Sequence, residues 1–213
     1  MSPQEIAHLH MIFWHCTPSI HRKLKIKSMD IKYIVTMHSY WHCGSGLAAG
    51  ADVDALVIKD KDGLPYIPGK TIKGLVREAI NEIISLRGGE ETKDYVRLFG
   101  CLSDQEMEKA FFTNSTMVDN DTTKQIKNLG LQRYLFESIS NTAIDKATGS
   151  AKKHSLRKME VAVPLILEGH ILNVPDSMEA DVINALRFIK NFGACRNRGL
   201  GRCTIEARKE DVL

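Results

Sequence analysis

From residue 70 to residue 86, apolar side chains recur at helical spacing: Ile72, Leu75, Val76, Ala79, Ile80, Ile83 and Ile84. A stripe of that width is stable only when it lies against another apolar surface, so the chain must supply one. The flanking sequence offers strands for the purpose. "IKYIVTMH" (31–38), "KAFFTNSTMV" (109–118), "MEVAVPLILEGHI" (159–171) and "GRCTIEARK" (201–209) are rich in β-branched and aromatic residues. In the third of these, Pro164 predicts a bulge or an edge. Thr71 is the expected cap of the first helix, and Gly88-Gly89 its end. A second helix is expected where Asp176 and Glu179 have capping-box spacing, with Met178, Val182, Leu186 and Ile189 on its apolar side and Gly193 closing it. "ALVIKDKDGLPYIPG" reads as a short hairpin turning at Asp62-Gly63.

The element order is therefore β-α-β-β-α-β, an α+β class of ferredoxin-like arrangement that RRM-type RNA binders also use. A chain of 213 residues, 43% hydrophobic and 26% charged, has room for one large domain with a real core. We place that domain at 29–213. About forty residues, 119–158, separate the second and third strands, too many for an idle connection. This polar insertion ends in "DKATGSAKKHSLRK".

No apolar run is long enough for a membrane span, and no signal peptide is read at the N-terminus. The five cysteines are odd in number and widely spaced, without a CxxC, which points to a reducing, cytoplasmic setting. The first 28 residues differ from the rest. They contain His8, His10, His15 and His21, the last of which opens the basic run "HRKLKIK", and read as a poorly ordered extension. Zinc ligation by His8, His10, His15 and Cys16 fits no established spacing.

Gly69-Lys70-Thr71 superficially resembles the end of a phosphate-binding P-loop. That loop needs a glycine at position 64, which is Leu, and Pro65 and Pro68 remove amides from the cradle. No nucleotide cofactor is expected. What remains is a basic helix N-terminus, which still suits a phosphate. Gly44, Gly46 and Gly50 run into loop and strand rather than a helix, which excludes a dinucleotide fingerprint. In "GACRNRGLGRC" (193–203), glycines alternate with Arg196, Arg198 and Arg202. Glycine allows close backbone approach and arginine offers forked donors for phosphate.

"GLPYIPGKTIKGLVREAI", "RLFG" (97–100), "TAIDKATGSAKKHSLRKMEVAV" and "FGACRNRGLGR" occur in that order. Together they closely resemble the RAMP superfamily of CRISPR-associated RNA-binding proteins. Within it they are most similar to the backbone subunits of type III effector complexes. The resemblance covers about 38–207 and leaves the first 28 residues outside. It implies an RRM-like core, an inserted thumb hairpin at about 119–158 and a glycine-rich loop near the C-terminus. It also implies partners: guide RNA, target RNA, other effector subunits and further copies of the chain. Many such subunits carry a Cys/His zinc cluster before the "LFG" motif. "GGEETKDYVRLFG" has none, so no zinc is expected.

The residues expected to bind RNA are Lys70, Lys73 and Arg77 on the first helix, and Lys152, Lys153 and Arg157 in the insertion. Arg196, Arg198, Gly199, Gly201 and Arg202 complete the set in the C-terminal loop. The resemblance implies a cleaving aspartate just before "VIKD", where Asp54 stands, with Asp52 as a second candidate. Asp54 would help hold a hydrated Mg²⁺, and the chain would be a metal-dependent endoribonuclease. Two alternatives stay open: a backbone subunit that only binds RNA, and a stand-alone endoribonuclease processing precursor guide RNA. For the latter His38, His42 and His154 are available.

Overall fold

The computed structural model describes residues 28–47, 53–89, 92–100 and 109–210. The expectations placed on residues 1–27, Gly50 and Asp52 lie outside them. In chain order the elements are β1 (Ser28–Met37), α1 (Gly69–Leu86), α2 (Lys93–Phe99), β2 (Phe111–Phe112), β3 (Thr116–Met117) and α3 (Asp121–Asn128). There follow β4 (Phe136–Asn141), β5 (Arg157–Ala162), β6 (Ile166–Pro175), α4 (Glu179–Phe188) and β7 (Cys203–Glu210).

The main sheet has the order β2-β6-β1-β7, with β3 also on β6, and every pairing is antiparallel. β1 alternates strictly, burying Met29, Ile31, Tyr33, Val35 and Met37. That period of two sends one full row of side chains into the core. Ile72, Val76 and Ile80 of α1 and Val182, Ala185 and Leu186 of α4 are buried in the same cluster. Each large aliphatic among them contributes about 1.5–3 kcal/mol by burial. Gly169 is opposite Tyr33 in the register, and any side chain there would strike the Tyr33 ring. The space it leaves lets the Tyr33 hydroxyl reach Ser115 Oγ at 2.9 Å.

Several expectations are corrected. The stretch 159–171 is two strands in two sheets. β5 pairs with β4 and β6 with β1, and Pro164 falls in the break because it cannot donate to a ladder. The stretch 109–118 is interrupted between β2 and β3. There Ser115 exchanges backbone bonds with Ile67, and Asn114 Oδ1 accepts the Gly69 N–H at 2.9 Å. Asn114 thus does from a distance what Thr71 was expected to do locally. Pro68 is the cap position of α1, and Thr71 lies within the first turn. The second helix begins at Glu179, behind a 3₁₀ turn over Asp176–Met178, and no side chain caps it. Met178 is buried, so packing sets that turn. The helix ends at Phe188, well before Gly193.

The insertion forms α3, a 3₁₀ turn and the first arm of a β4–β5 ribbon, whose second arm runs on to Ala162. The base of the ribbon is stitched to the core. Trp41 exchanges backbone bonds with Ala162 at 3.0 and 2.8 Å, and its Nε1 donates to the Val163 carbonyl at 2.9 Å. The Trp41 ring is fully buried and tilted against Phe192.

Candidate nucleic-acid interface

Asp54 is exposed and lies beside β5, toward the end of the paired ribbon remote from Ala162. Its backbone N–H donates to the Lys158 carbonyl at 2.9 Å, and its carboxylate Oδ2 accepts the Lys158 N–H at 2.8 Å. One step along, Ala55 pairs with Met159 in parallel. The aspartate is therefore fixed to β5 by two bonds, one through its backbone N–H and one through Oδ2. Behind it, the Glu160 carboxylate accepts the Val57 N–H and the Lys59 ammonium, both at 2.9 Å. Lys59 also lies 4.1 Å from the centre of the Phe136 ring. Val53, one residue before Asp54, lines a groove with Lys59, Gln132, Arg133, Phe136 and Glu160.

On α1, Lys70 and Arg77 are exposed and Lys73 is half-buried. At ~100° per residue the three fall within about 60° of one another. Arg77 donates to the Phe99 carbonyl at 3.2 Å, and its guanidinium carbon is 5.1 Å from the centre of the Phe99 ring. Partial burial holds the Lys73 ammonium below the ordinary lysine value, and the nearby Arg77 and Lys109 cations add to this. Lys109 was not foreseen from the sequence. Its position next to "AFF" carries a strand signal, and only the fold brings it to Gly100 and Lys73.

The 193–203 loop is bound to the segment that follows β1. Ala194 N–H donates to the His42 carbonyl at 3.0 Å, Gly201 N–H to Tyr40 at 2.7 Å and Arg202 N–H to Ser39 Oγ at 3.0 Å. Gly193, Gly199 and Gly201 all have positive φ. At Gly193 and Gly201 a side chain would also collide with backbone carbonyls, whereas Gly199 faces open space. The loop thus holds Arg196, Arg198 and Arg202 outward. Each is exposed, and no carboxylate pairs with any of them among the described residues. Arg196 and Arg202 share a depression with His38, Lys190 and Thr204. Lys190, too, had no signal in the sequence, because it stands just past the end of an ordinary amphipathic helix.

The two basic groups are not one patch. Arg196 borders Leu75, Glu78 and Glu82, on the side of α1 opposite Lys73 and Arg77. Lys152, Lys153 and Arg157 are exposed on the ribbon, and only Arg157 adjoins the Asp54 anchor at Lys158. Of the histidines, His38 is exposed and bonded to Thr204 Oγ1 at 2.8 Å, and His154 is exposed. His42 is buried, with Nδ1 2.6 Å from the Glu160 carbonyl. That position corrects its expected availability to substrate.

A family model described as the RAMP superfamily matches residues 34–204. The chain is 26% identical over 186 residues to the CRISPR system Cms endoribonuclease Csm3 of Streptococcus thermophilus. That alignment covers 78% of this chain and 80% of the relative. Two solved structures share the fold. A chain from the cryo-EM structure of Type III-B Cmr-beta bound to cognate target RNA matches with a TM-score of 0.61 and 11% identity, over 85% of this chain and 98% of that one. A chain of Type III-B Cmr-beta in the apo state matches with a TM-score of 0.63 and 12% identity, over 87% and 99%.

Proposed function

Because this chain belongs to the RAMP superfamily, we propose that it is an RNA-binding backbone subunit of a type III CRISPR effector ribonucleoprotein, which holds guide RNA and cleaves complementary target RNA. The observation that carries the reading is a coincidence of similarity and geometry. The span similar to an endoribonuclease includes an exposed carboxylate fixed to a strand of a basic ribbon. The strand order and the places of α1 and α4 support a ferredoxin-like, RRM-like core, and the β4–β5 ribbon is the thumb. Guide RNA, other effector subunits and further copies of the chain are the proposed partners, in the cytoplasm. Among the described residues no helix is long and apolar enough to cross a membrane.

Asp54 fits Mg²⁺ only as a loosely held, hydrated ion. One carboxylate oxygen is engaged by Lys158, and among the described residues no three His, Cys, Asp or Glu side chains could cage a metal. Bound there, the ion would neutralise charge developing on the phosphate. Asp54 itself accepts a proton on the path from the 2′-hydroxyl or orients the water shell.

Lys70, Lys73, Arg77, Arg196, Arg198 and Arg202 grip the phosphate backbone. A phosphate seated at Lys73 relieves the repulsion from Arg77 and Lys109. Lys73→Ala and Arg77→Ala should each flatten the log–log salt dependence of RNA affinity by about one unit, and Arg196→Ala/Arg198→Ala by about two. Unchanged slopes in filter-binding titrations would remove the residue concerned from the interface. Replacing 142–156 by a short turn keeps the β4–β5 base and removes Lys152 and Lys153. This variant should bind guide RNA yet lose regularly spaced cuts in target RNA; cutting at the original spacing would show that the ribbon is not the thumb.

The processing reading has one observation of its own, His38 within the arginine-lined depression. Incubation with precursor RNA and with guide–target duplex separates it: cleavage of the precursor alone, abolished by His38→Ala, would favour it.

A further inference from the structure

His42 touches two parts of the interface at once. Its Nδ1 faces a carbonyl oxygen, that of Glu160, which can only accept. Nδ1 therefore carries the hydrogen and donates it. The backbone N–H of Glu160 in turn donates to the Ala55 carbonyl at 2.9 Å, and the Glu160 carboxylate holds the Val57 N–H. On its other side, the His42 backbone carbonyl accepts the Ala194 N–H, and Gly193 (φ +82°) packs too close to it for any side chain. The ring thus supports the Asp54 segment and the backbone supports the arginine–glycine loop. At 5% exposure, His42 has no open path to RNA.

We propose that His42 is a positioning residue that links the arginine–glycine loop to the Asp54 segment, so that RNA held on the loop sets the place of the cleaving carboxylate. The inference rests on the function proposed above. The link passes from Ala194 through the His42 backbone and ring to Glu160, and from Glu160 to Ala55 beside Asp54. Without the Nδ1 hydrogen the Glu160 carbonyl loses its donor inside the fold, and the segment that carries Ala55 loses its support. Asparagine can place an amide N–H where Nδ1–H stands. Leucine fills similar space and donates nothing.

The test uses the full chain with and without guide RNA, as wild type, His42→Asn and His42→Leu. Amide hydrogen exchange reads the link without reference to cleavage. Guide RNA should raise protection across Val53–Val57 in wild type and in His42→Asn, and leave it unraised in His42→Leu. Amides of β1 and β6 should stay protected in all three, and His42→Met replaces the leucine variant if they do not. In target cleavage, His42→Leu should lower kcat by about ten- to a hundredfold at unchanged KM, and His42→Asn should recover most of it. Equal RNA-induced protection in wild type and His42→Leu overturns the proposal. So does a folded His42→Asn as defective as His42→Leu. If wild type itself cuts nothing, the nuclease reading fails and exchange alone decides the link.

Discussion

Asp54→Asn should leave guide and target affinity within about twofold of wild type and lower target cleavage by about 100- to 10,000-fold, the range general acid–base groups supply. Asparagine suits the test better than alanine. Its side-chain oxygen can still accept the Lys158 N–H, so the segment stays on β5 while the charge and the proton-accepting oxygen go. The substitution removes no cationic side chain, so the lysine and arginine contacts to phosphate are untouched. Single-turnover cleavage of a labelled target beside a direct binding titration gives both quantities. An Asp54→Asn protein that cuts at the wild-type rate would make the RNA-binding-only reading the better one. Asp52 would then be tested the same way.

Gly201→Ala should be the most damaging single-methyl change in the arginine–glycine loop. The residue has φ +73° and is buried, and an added Cβ would run into the Phe192 carbonyl. That carbonyl cannot withdraw cheaply. Phe192 N–H is bonded to the Gly201 carbonyl at 3.1 Å, the Gly201 N–H reaches Tyr40 at 2.7 Å, and the Phe192 ring is fully buried against Trp41. Left-handed strain of about 1–3 kcal/mol adds to an overpacking cost of similar size, so urea unfolding should show a loss of about 3 kcal/mol or more. Gly199→Ala is the control. It has φ +88° but open space around it, and should cost only about 1 kcal/mol. Equal costs at the two positions would mean that conformation alone, without the contact to Phe192, sets the requirement for glycine.

The local part of this protein was legible in the residue order. The stripe from Ile72 to Ile84 predicts a helix over 70–86, and α1 runs from Gly69 to Leu86. β-branched and aromatic residues predict a strand at 31–38, within β1, and glycines among arginines predict a loop at 193–203. These signals depend on a residue and its near neighbours, because helical and strand periods and positive φ are short-range properties. The family resemblance, too, needed only the order of four motifs, and the match over 34–204 agrees with it.

What required partners from far along the chain was decided by the tertiary structure. Asn114 caps α1 from 45 residues away, Ser115 turns to Ile67 and so divides a strand, and Pro164 separates two sheets. The site divides the same way. Asp54 could be named from its neighbours, but its anchorage on Lys158 lies 104 residues on. His42 looked like an available base until the Glu160 carbonyl, 118 residues away, took its Nδ1 hydrogen. Lys109 and Lys190 had no signal, since a lysine beside a strand or at a helix end is ordinary until folding gathers other cations around it. Hydrogen-bond satisfaction and charge proximity are settled by which segments meet, and that is a property of the packed chain.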